Sequence, residues 1–389
     1  MPVPTVCPTC SCPYHHAPPL GWSVRYGRYL TAAHGVVQRY RCRQCGHTLS
    51  DQSESLHFYA KRRLPLQAVW LSLLGGASLR EIARRYHLSP PTVQRAILRL
   101  GRQAMAAQLS LLDHLRPCSR LVYDGLRSFI GSQDFPCDIT TLVDPIGEVI
   151  LAMSHSVARR GGSISAAQRS RLRRRLAVWQ PEAGSMKRAI SLLHQELWSY
   201  LRGLPDTPAT IHTDEHPLYA ALLRRDPIAC HLNLAGALRH ERTPSTAART
   251  TANPLFPVNY IDRLLRHRLK DHARETIAFA RAASMQMHRA WIFACDHNLH
   301  REYRVKQPQL GIHGEQHAVS HEELVAIRRS FFVRRLRPPQ APVPETIRAV
   351  WMGKVCGPPH RWKVGQRSDC LRIPAYAIRD LLGDYQHAG

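Results

Sequence analysis

The chain has 389 residues and a formal charge of +26, from 54 Lys and Arg against 28 Asp and Glu. Its hydrophobic content of 44% excludes a disordered chain, so the excess cations lie on folded surface and favour a polyanion, most simply nucleic acid. No apolar run reaches transmembrane length and no signal-peptide pattern precedes the first cysteines, so we expect a cytoplasmic protein without a membrane partner.

Two cysteine pairs predict a small zinc ribbon over residues 1–55. Cys7-Pro-Thr-Cys10 and Cys42-Arg-Gln-Cys45 are C-x2-C knuckles, separated by segments of β composition. Each knuckle supplies two thiolates from one tight loop, and four thiolates complete a tetrahedral structural Zn²⁺ site. Nearby donors are expected to be surface residues of a Pro-rich loop: Cys12, His15 and His16. Cysteines without paired spacing are expected to be buried thiols: Cys118, Cys137, Cys230, Cys295, Cys356 and Cys370.

Residues 60–104 predict an all-α helix-turn-helix. Ser78 followed by Glu81 forms a capping box, and Ser89 before Pro90 begins a second helix. Gln and Arg side chains can contact base edges and phosphates, so an outward basic face favours DNA binding over a plain helical hairpin. The side chains expected on that face are Thr92, Gln94, Arg95 and Arg99.

Residues 117–305 predict a mixed sheet covered by helices, in the order βββ-α-β-α-β-α. The first three strands are expected at Ser119–Ile130, Asp138–Val143 and Glu148–Ser154, with Pro145-Ile-Gly147 as the turn of a hairpin. Two more strands are expected at Thr210–Thr213 and Ile228–Leu234. Helices are expected over Met186–Leu201, Pro217–Arg225 and most of Tyr260–Tyr303, and the fold of the basic extension 306–389 is left open.

Carboxylates interrupt two of these strands. Asp124 lies within Leu121-Val-Tyr-Asp-Gly-Leu-Arg127, and Asp214 ends Ile211-His-Thr-Asp. Crowded carboxylates repel one another unless a cation stabilises them, so such a pair favours a Mg²⁺ or Mn²⁺ site and two-metal phosphoryl transfer. His212, Glu215 and His216 flank Asp214, either to position DNA or water or as ordinary loop residues.

The order of these motifs resembles a bacterial insertion-sequence transposase of the DDE type, over roughly residues 5–305. The residues that carry the resemblance are Tyr123-Asp124-Gly125 and His212-Thr213-Asp214, with Tyr219 following. The resemblance implies an RNase H-like catalytic domain in a prokaryotic, nucleoid-associated protein. It also implies double-stranded DNA partners, the element ends and the target, and a homo-oligomer assembled on DNA.

The third acid of that family is expected on the helix after the fifth strand. This chain has Asn259 where the family's Glu aligns, and Asp262 follows one turn later. Asp262, Arg266 and Lys270 follow at i, i+4 and i+8, so we expect a metal ligand beside DNA-binding cations on one helix face. Glu275 is the alternative third acid, and Asp144 and Asp296 are weaker ones. A surface ion pair between Asp262 and Arg266 is the simpler explanation of the same pattern.

Taken together, the residues predict a Mg²⁺-dependent DNA transposase with one structural Zn²⁺. The ribbon and helix-turn-helix are expected to recognise the element ends, and Asp124, Asp214 and Asp262 to hold the catalytic metals. Asn259 favours an alternative, a catalytically inactive DNA-binding regulator derived from such an element. A nuclease of the same fold without strand transfer is a third interpretation. The basic run Arg169–Arg175 is either a phosphate-binding segment or a solubilising charge block.

Overall fold

The computed structural model describes residues 4–9, 11–203, 207–272, 280–318, 320–339, 342–359, 362 and 371–382. Its N-terminal part is a three-stranded antiparallel sheet in the order β1-β2-β3. The elements are α1 (Pro13–His16), β1 (Ser23–Thr31), β2 (Gly35–Cys42) and β3 (Thr48–Ser50). The predicted β-type segments are therefore confirmed, and the sheet brings Cys42 to the end of β2, beside the first residues of β1.

Three helices follow, and the last is longer than predicted. They are α2 (Leu66–Leu74), α3 (Leu79–Arg85) and α4 (Pro90–Leu112). The Ser78–Glu81 capping box at the start of α3 is confirmed by both of its hydrogen bonds. Pro90 opens α4 as predicted, but the Ser89 hydroxyl pairs with Thr92 Oγ1 at 2.8 Å and caps no backbone N–H. The second half of α4 is buried, because it packs against α10 (Ala283–His300).

The central sheet has five strands in the order β6-β5-β4-β7-β8. They are β4 (Arg120–Ile130), β5 (Ser132–Asp144), β6 (Val149–Val157), β7 (Ala209–Asp214) and β8 (Leu238–Thr243). The pairs β4–β5 and β5–β6 are antiparallel, whereas β4–β7 and β7–β8 are parallel. The predicted hairpin is confirmed, and the Asp144 carboxylate closes its turn by accepting the N–H groups of Ile146 and Gly147.

One predicted strand was wrong. Residues 228–234 belong to helix α8 (Pro227–Leu234), and β8 supplies the fifth strand instead. Asp226 caps α8 by accepting the N–H groups of Ile228 and Ala229, and Pro227 occupies the first helical position. This start signal outweighs the strand preference of the apolar residues that follow.

Helices cover the sheet and carry one of the acids towards it. They are α5 (Ala166–Leu176), α6 (Ser185–Tyr200), α7 (Pro217–Leu223) and α9 (Phe256–Arg268), with α8 and α10 as given above. Helix α6 packs on β5 and β6, and α9 packs on β4 and β5. Helix α9 ends at Arg268, since Leu269 has extended backbone angles and a 3-10 turn follows at Lys270–His272. The predicted helix from Tyr260 to Tyr303 is therefore broken.

The C-terminal extension contributes α11 (His321–Ser330), α12 (Glu345–Trp351) and α13 (Ala375–Leu382). Phe331 and Trp351 are buried in the same core as α4, α10 and the central sheet. The described part of the extension is therefore packed into the body of the protein. None of the helices in the described ranges has the length and apolar character needed to span a membrane.

Candidate functional site

The parallel pairing of β4 with β7 aligns the first two predicted acids. Val122 pairs with His212, and the same register continued by two residues brings Asp124 level with Asp214. Neighbouring strands lie about 4.8 Å apart, so the two carboxylates share one cleft. Burial and then the negative charge of Asp214 raise the pKa of Asp124 to about 7, although the Gly125 N–H donates to Asp124 Oδ1 at 2.7 Å and opposes the shift.

Helix α9 brings Asp262 to the same cleft. Its Oδ1 is buried and accepts no hydrogen bond from any described residue. Burial raises the pKa of Asp262 well above its usual range, and the charges of Asp124 and then Asp138 raise it further, while Arg266 lowers it. Asp262 therefore faces the carboxylates of the sheet. Its i, i+4 spacing to Arg266 predicted the nearby cation but not the burial of the carboxylate.

Asp138, on β5, is a fourth member of the cluster that the sequence analysis missed. A Cβ atom on Gly125 would lie 2.5 Å from Asp138 Oδ1, so only glycine leaves room for this carboxylate beside Asp124. Thr140 Oγ1 donates to Asp138 Oδ1 at 3.0 Å, and burial raises the pKa of Asp138. The available signal was the only charged residue of the predicted strand Asp138–Val143.

The four carboxylates, Asp124, Asp138, Asp214 and Asp262, influence one another electrostatically across one cleft. While all four are ionised, their mutual repulsion and the loss of hydration on burial destabilise the folded protein. A cation within the cleft would offset both effects. Carboxylate oxygens are the ligands that Mg²⁺ and Mn²⁺ prefer, and Asp262 Oδ1 lacks a partner that a metal ion would provide. Arg249 is the nearby cation that lowers the pKa of both Asp124 and Asp262.

The weaker acids lie elsewhere. Asp144 closes the hairpin turn, and Asp296 accepts from Arg268 Nη1 at 2.6 Å and from the Trp70 indole at 3.4 Å. Glu275 falls outside the described residues.

The residues beside Asp214 have structural partners. His212 Nδ1 lies 3.4 Å from Glu241, and the buried Tyr219 packs edge-on against Tyr123. The His216 N–H donates to Asp214 Oδ1 at 2.8 Å, and its ring accepts the Leu218 N–H at the start of α7. His216 therefore fixes the orientation of the Asp214 carboxylate, while Glu215 is exposed.

The predicted DNA-contact face of α4 is only partly exposed. Arg95 is exposed, as predicted, whereas Gln94 is half-buried. Thr92 is buried, and Arg99 donates to the Leu56 carbonyl at 3.0 Å with its guanidinium over the Tyr376 ring. The outward placement of Thr92 and Arg99 was therefore wrong, because residues 56 and 376 cover that side of the helix.

The other predicted cations are spread over two elements. Arg266 lies on α9 near Asp262, but Lys270 lies on the following 3-10 turn, so the single cationic stripe was wrong.

The basic run forms α5, where Arg171 and Arg175 bind the buried Asp134 at 3.0 and 2.6 Å. Arg169, Arg173 and Arg174 remain exposed on the same helix. Two arginines thus anchor α5 and three are available to an anion.

The N-terminal cysteines form a cluster that fits a structural zinc ion. Cys7 Sγ lies 3.5 Å from Cys45 Sγ, Cys12 Sγ lies 3.8 Å from Cys42 Sγ, and all four sulfur atoms lie within 4.8 Å of one another. Tetrahedral Zn–S bonds of about 2.3 Å place sulfur atoms about 3.8 Å apart. Gly46, at φ +70°, completes the turn after Cys45.

The cluster contains three of the four predicted ligands, Cys7, Cys42 and Cys45, together with Cys12. Cys12 is buried within the cluster, so its placement on the surface was wrong, and Cys10 lies outside the described residues. Cys12 caps α1 and its N–H donates to Thr9 O, and this turn directs its thiol towards Cys42.

No protein-family model matches this chain, and no curated protein matches its sequence either.

Proposed function

We propose that the protein is a DNA transposase with an RNase H-like catalytic domain, which cleaves DNA by divalent-metal phosphoryl transfer. The observation that carries the proposal is the convergence of Asp124, Asp214 and Asp262 from two adjacent parallel strands and one helix. The sheet order, with three antiparallel strands followed by two parallel ones, is that expected of an RNase H-like domain and supports the same proposal.

Each part of the chain has a role in this proposal. Asp124, Asp214 and Asp262 would hold Mg²⁺ or Mn²⁺, with Asp138 as a further ligand or a residue that orients one. The bound metal ions activate the attacking oxygen and stabilise the leaving oxygen of a phosphodiester. The ribbon and α4, through Gln94 and Arg95, would read the element ends as a homo-oligomer, and the +26 charge supports a DNA partner.

The test uses full-length protein and a supercoiled plasmid that carries its gene within the native flanking DNA. We expect nicking that requires added Mg²⁺, with joining of the freed 3′ ends to target DNA. Asp124→Asn and Asp214→Asn should abolish both reactions and leave DNA binding in a mobility-shift assay nearly intact, because an amide is a poor ligand for a hard cation. Glu322→Gln, an exposed carboxylate on α11, is the matched control.

The outcomes separate the alternatives. DNA binding without nicking would identify the catalytically inactive regulator that Asn259 suggested, and nicking without joining would identify a nuclease. Nicking by Asp124→Asn would refute the enzyme proposal altogether. Asp262→Asn should also be inactive, and retained cleavage in this variant would move the third ligand to Glu275.

A further inference from the structure

A second cluster of metal-binding side chains lies at the other end of the sheet. Cys118 precedes β4, Asp144 ends β5, and His317 belongs to the C-terminal extension. Their sulfur, oxygen and nitrogen atoms lie within 4.8 Å of one another. Cys118 is six residues before Asp124, and Asp144 is three residues beyond Thr141, the partner of Asp124, so at about 3.4 Å per residue the cluster lies about 10–20 Å along the strands from the carboxylate cleft.

The distances between the ligand atoms of the cluster match those between neighbouring ligands of a tetrahedral zinc site. His317 Nδ1 lies 3.3 Å from Cys118 Sγ and 3.5 Å from Asp144 Oδ2. Zn–S, Zn–N and Zn–O bonds of normal length place such ligand pairs about 3.4–3.6 Å apart in a tetrahedron. The 3.5 Å between His317 Nδ1 and Asp144 Oδ2 is longer than an ordinary N–H···O hydrogen bond of about 2.7–3.2 Å.

The surrounding backbone holds each ligand in place. The Cys118 N–H donates to Tyr200 O at 2.7 Å, and Cys118 O accepts the Arg202 N–H at 2.9 Å. The Asp144 carboxylate accepts two backbone N–H groups, and His317 O accepts the Arg116 N–H at 2.8 Å. These bonds fix the backbone of Cys118 and His317 and the carboxylate of Asp144, and so keep the three side chains next to one another.

We propose that Cys118, Asp144 and His317 bind a second zinc ion, which fastens the C-terminal extension to the start of β4. Cys118 and Asp144 are almost fully buried and His317 is mostly buried, so water completes the coordination from the side of His317. The proposal does not depend on transposase activity, because the cluster lies away from the carboxylate cleft.

The test is the zinc content of the full-length protein, purified with zinc and then desalted. We expect two zinc ions per chain in the wild type, and one in both Cys118→Ser and His317→Ala. Cys230→Ser is the matched control and should keep two, since Cys230, expected from the sequence to be buried, is instead an exposed thiol on α8. The Cys42→Ser/Cys45→Ser variant should keep one zinc ion. When Co²⁺ replaces that zinc ion, we expect a thiolate-to-cobalt charge-transfer absorption, and the additional substitution Cys118→Ser should remove it.

Circular dichroism of each variant checks its folding. His317 lies at the edge of the cluster, so His317→Ala answers the question if the buried Cys118→Ser variant fails to fold. A wild-type content of one zinc ion would overturn the proposal. A content of two that both substitutions leave unchanged would also overturn it, because the second ion would then bind elsewhere.

Discussion

Substitution of Asp124 by Asn should stabilise the metal-free protein at pH 8 while it abolishes cleavage. The folded protein raises the pKa of Asp124 from 3.8 to about 7, through burial and the charges of Asp214 and Asp138. A folded-state pKa above the unfolded value contributes stability that is present at low pH and is lost as the pH rises from about 4 to 7. The shift of about three pKa units corresponds to an upper limit of about 4 kcal/mol in the free energy of unfolding.

Asn at position 124 keeps an oxygen for the Gly125 N–H and carries no charge, so most of that loss should be recovered. The assay is thermal unfolding at pH 5.5 and pH 8, in buffer without added metal and in buffer with Mg²⁺. Without metal, Asp124→Asn should unfold several degrees above wild type at pH 8, and by about half as much at pH 5.5, because about half of the loss has occurred at that pH. Mg²⁺ should stabilise the wild type more at pH 8 than at pH 5.5, and Asp124→Asn much less.

The control in the same assay is Glu322→Gln, whose exposed carboxylate should give no pH-dependent difference from wild type. If Asp124→Asn unfolds below wild type at pH 8 without metal, the carboxylates do not repel one another as the structure implies. An equal Mg²⁺ effect on both proteins would show that the ion binds away from Asp124.

Three further predictions concern the other parts of the chain. Cys12→Ser should lower the zinc content by one ion per chain and destabilise the N-terminal sheet, measured by metal analysis and circular dichroism, whereas a full zinc content would return the fourth ligand to Cys10. Gln94→Ala and Arg95→Ala should each weaken binding to element-end DNA by about 1–3 kcal/mol more than binding to random DNA, and an equal loss on both DNAs would restrict them to phosphate contacts. Asp138→Asn should reduce Mg²⁺-dependent cleavage at least tenfold with DNA binding unchanged, and full activity would exclude Asp138 from the metal site.

Elements with a strong local signal were predictable from the sequence. The Ser78–Glu81 capping box and the Asp144 turn each depend on residues three positions apart or fewer, and both are present. The predicted strand at 228–234 was wrong because Asp226 and Pro227 begin a helix there, a signal that the apolar composition of the following residues does not contain. The ends of helices and turns are therefore predictable from the sequence when capping residues and apolar composition are considered together.

Contacts between distant parts of the chain were not predictable in the same way. Asp138 joins Asp124 only because β5 pairs with β4 and Gly125 leaves space for its carboxylate. Arg99 turns inward because Leu56 and Tyr376 cover it, and neither neighbour is apparent from the periodicity of α4. The spacing of Cys118 and His317, 199 residues apart, likewise carries no signal until the fold is known.

Asp296 joins helix α2 and the end of helix α9 through its carboxylate, and this contact leads to a last prediction. Asp296, on α10, accepts from Arg268 at the end of α9 at 2.6 Å and from the Trp70 indole on α2. Removal of the carboxylate would leave Arg268 and Trp70 without this acceptor, which costs about 1–3 kcal/mol for a buried polar group.

Asp296→Ala should therefore lower stability by that amount and loosen the end of α9. Because Asp262 depends on the position of α9, cleavage should decrease more than binding to element-end DNA, when both are measured at a temperature where the variant is folded. Arg263→Ala removes an exposed cation from α9 that lies over the Tyr260 ring, and this control should preserve the ratio of cleavage to binding. A parallel loss of cleavage and binding in Asp296→Ala would mean that Asp296 stabilises the whole fold and does not specifically position Asp262.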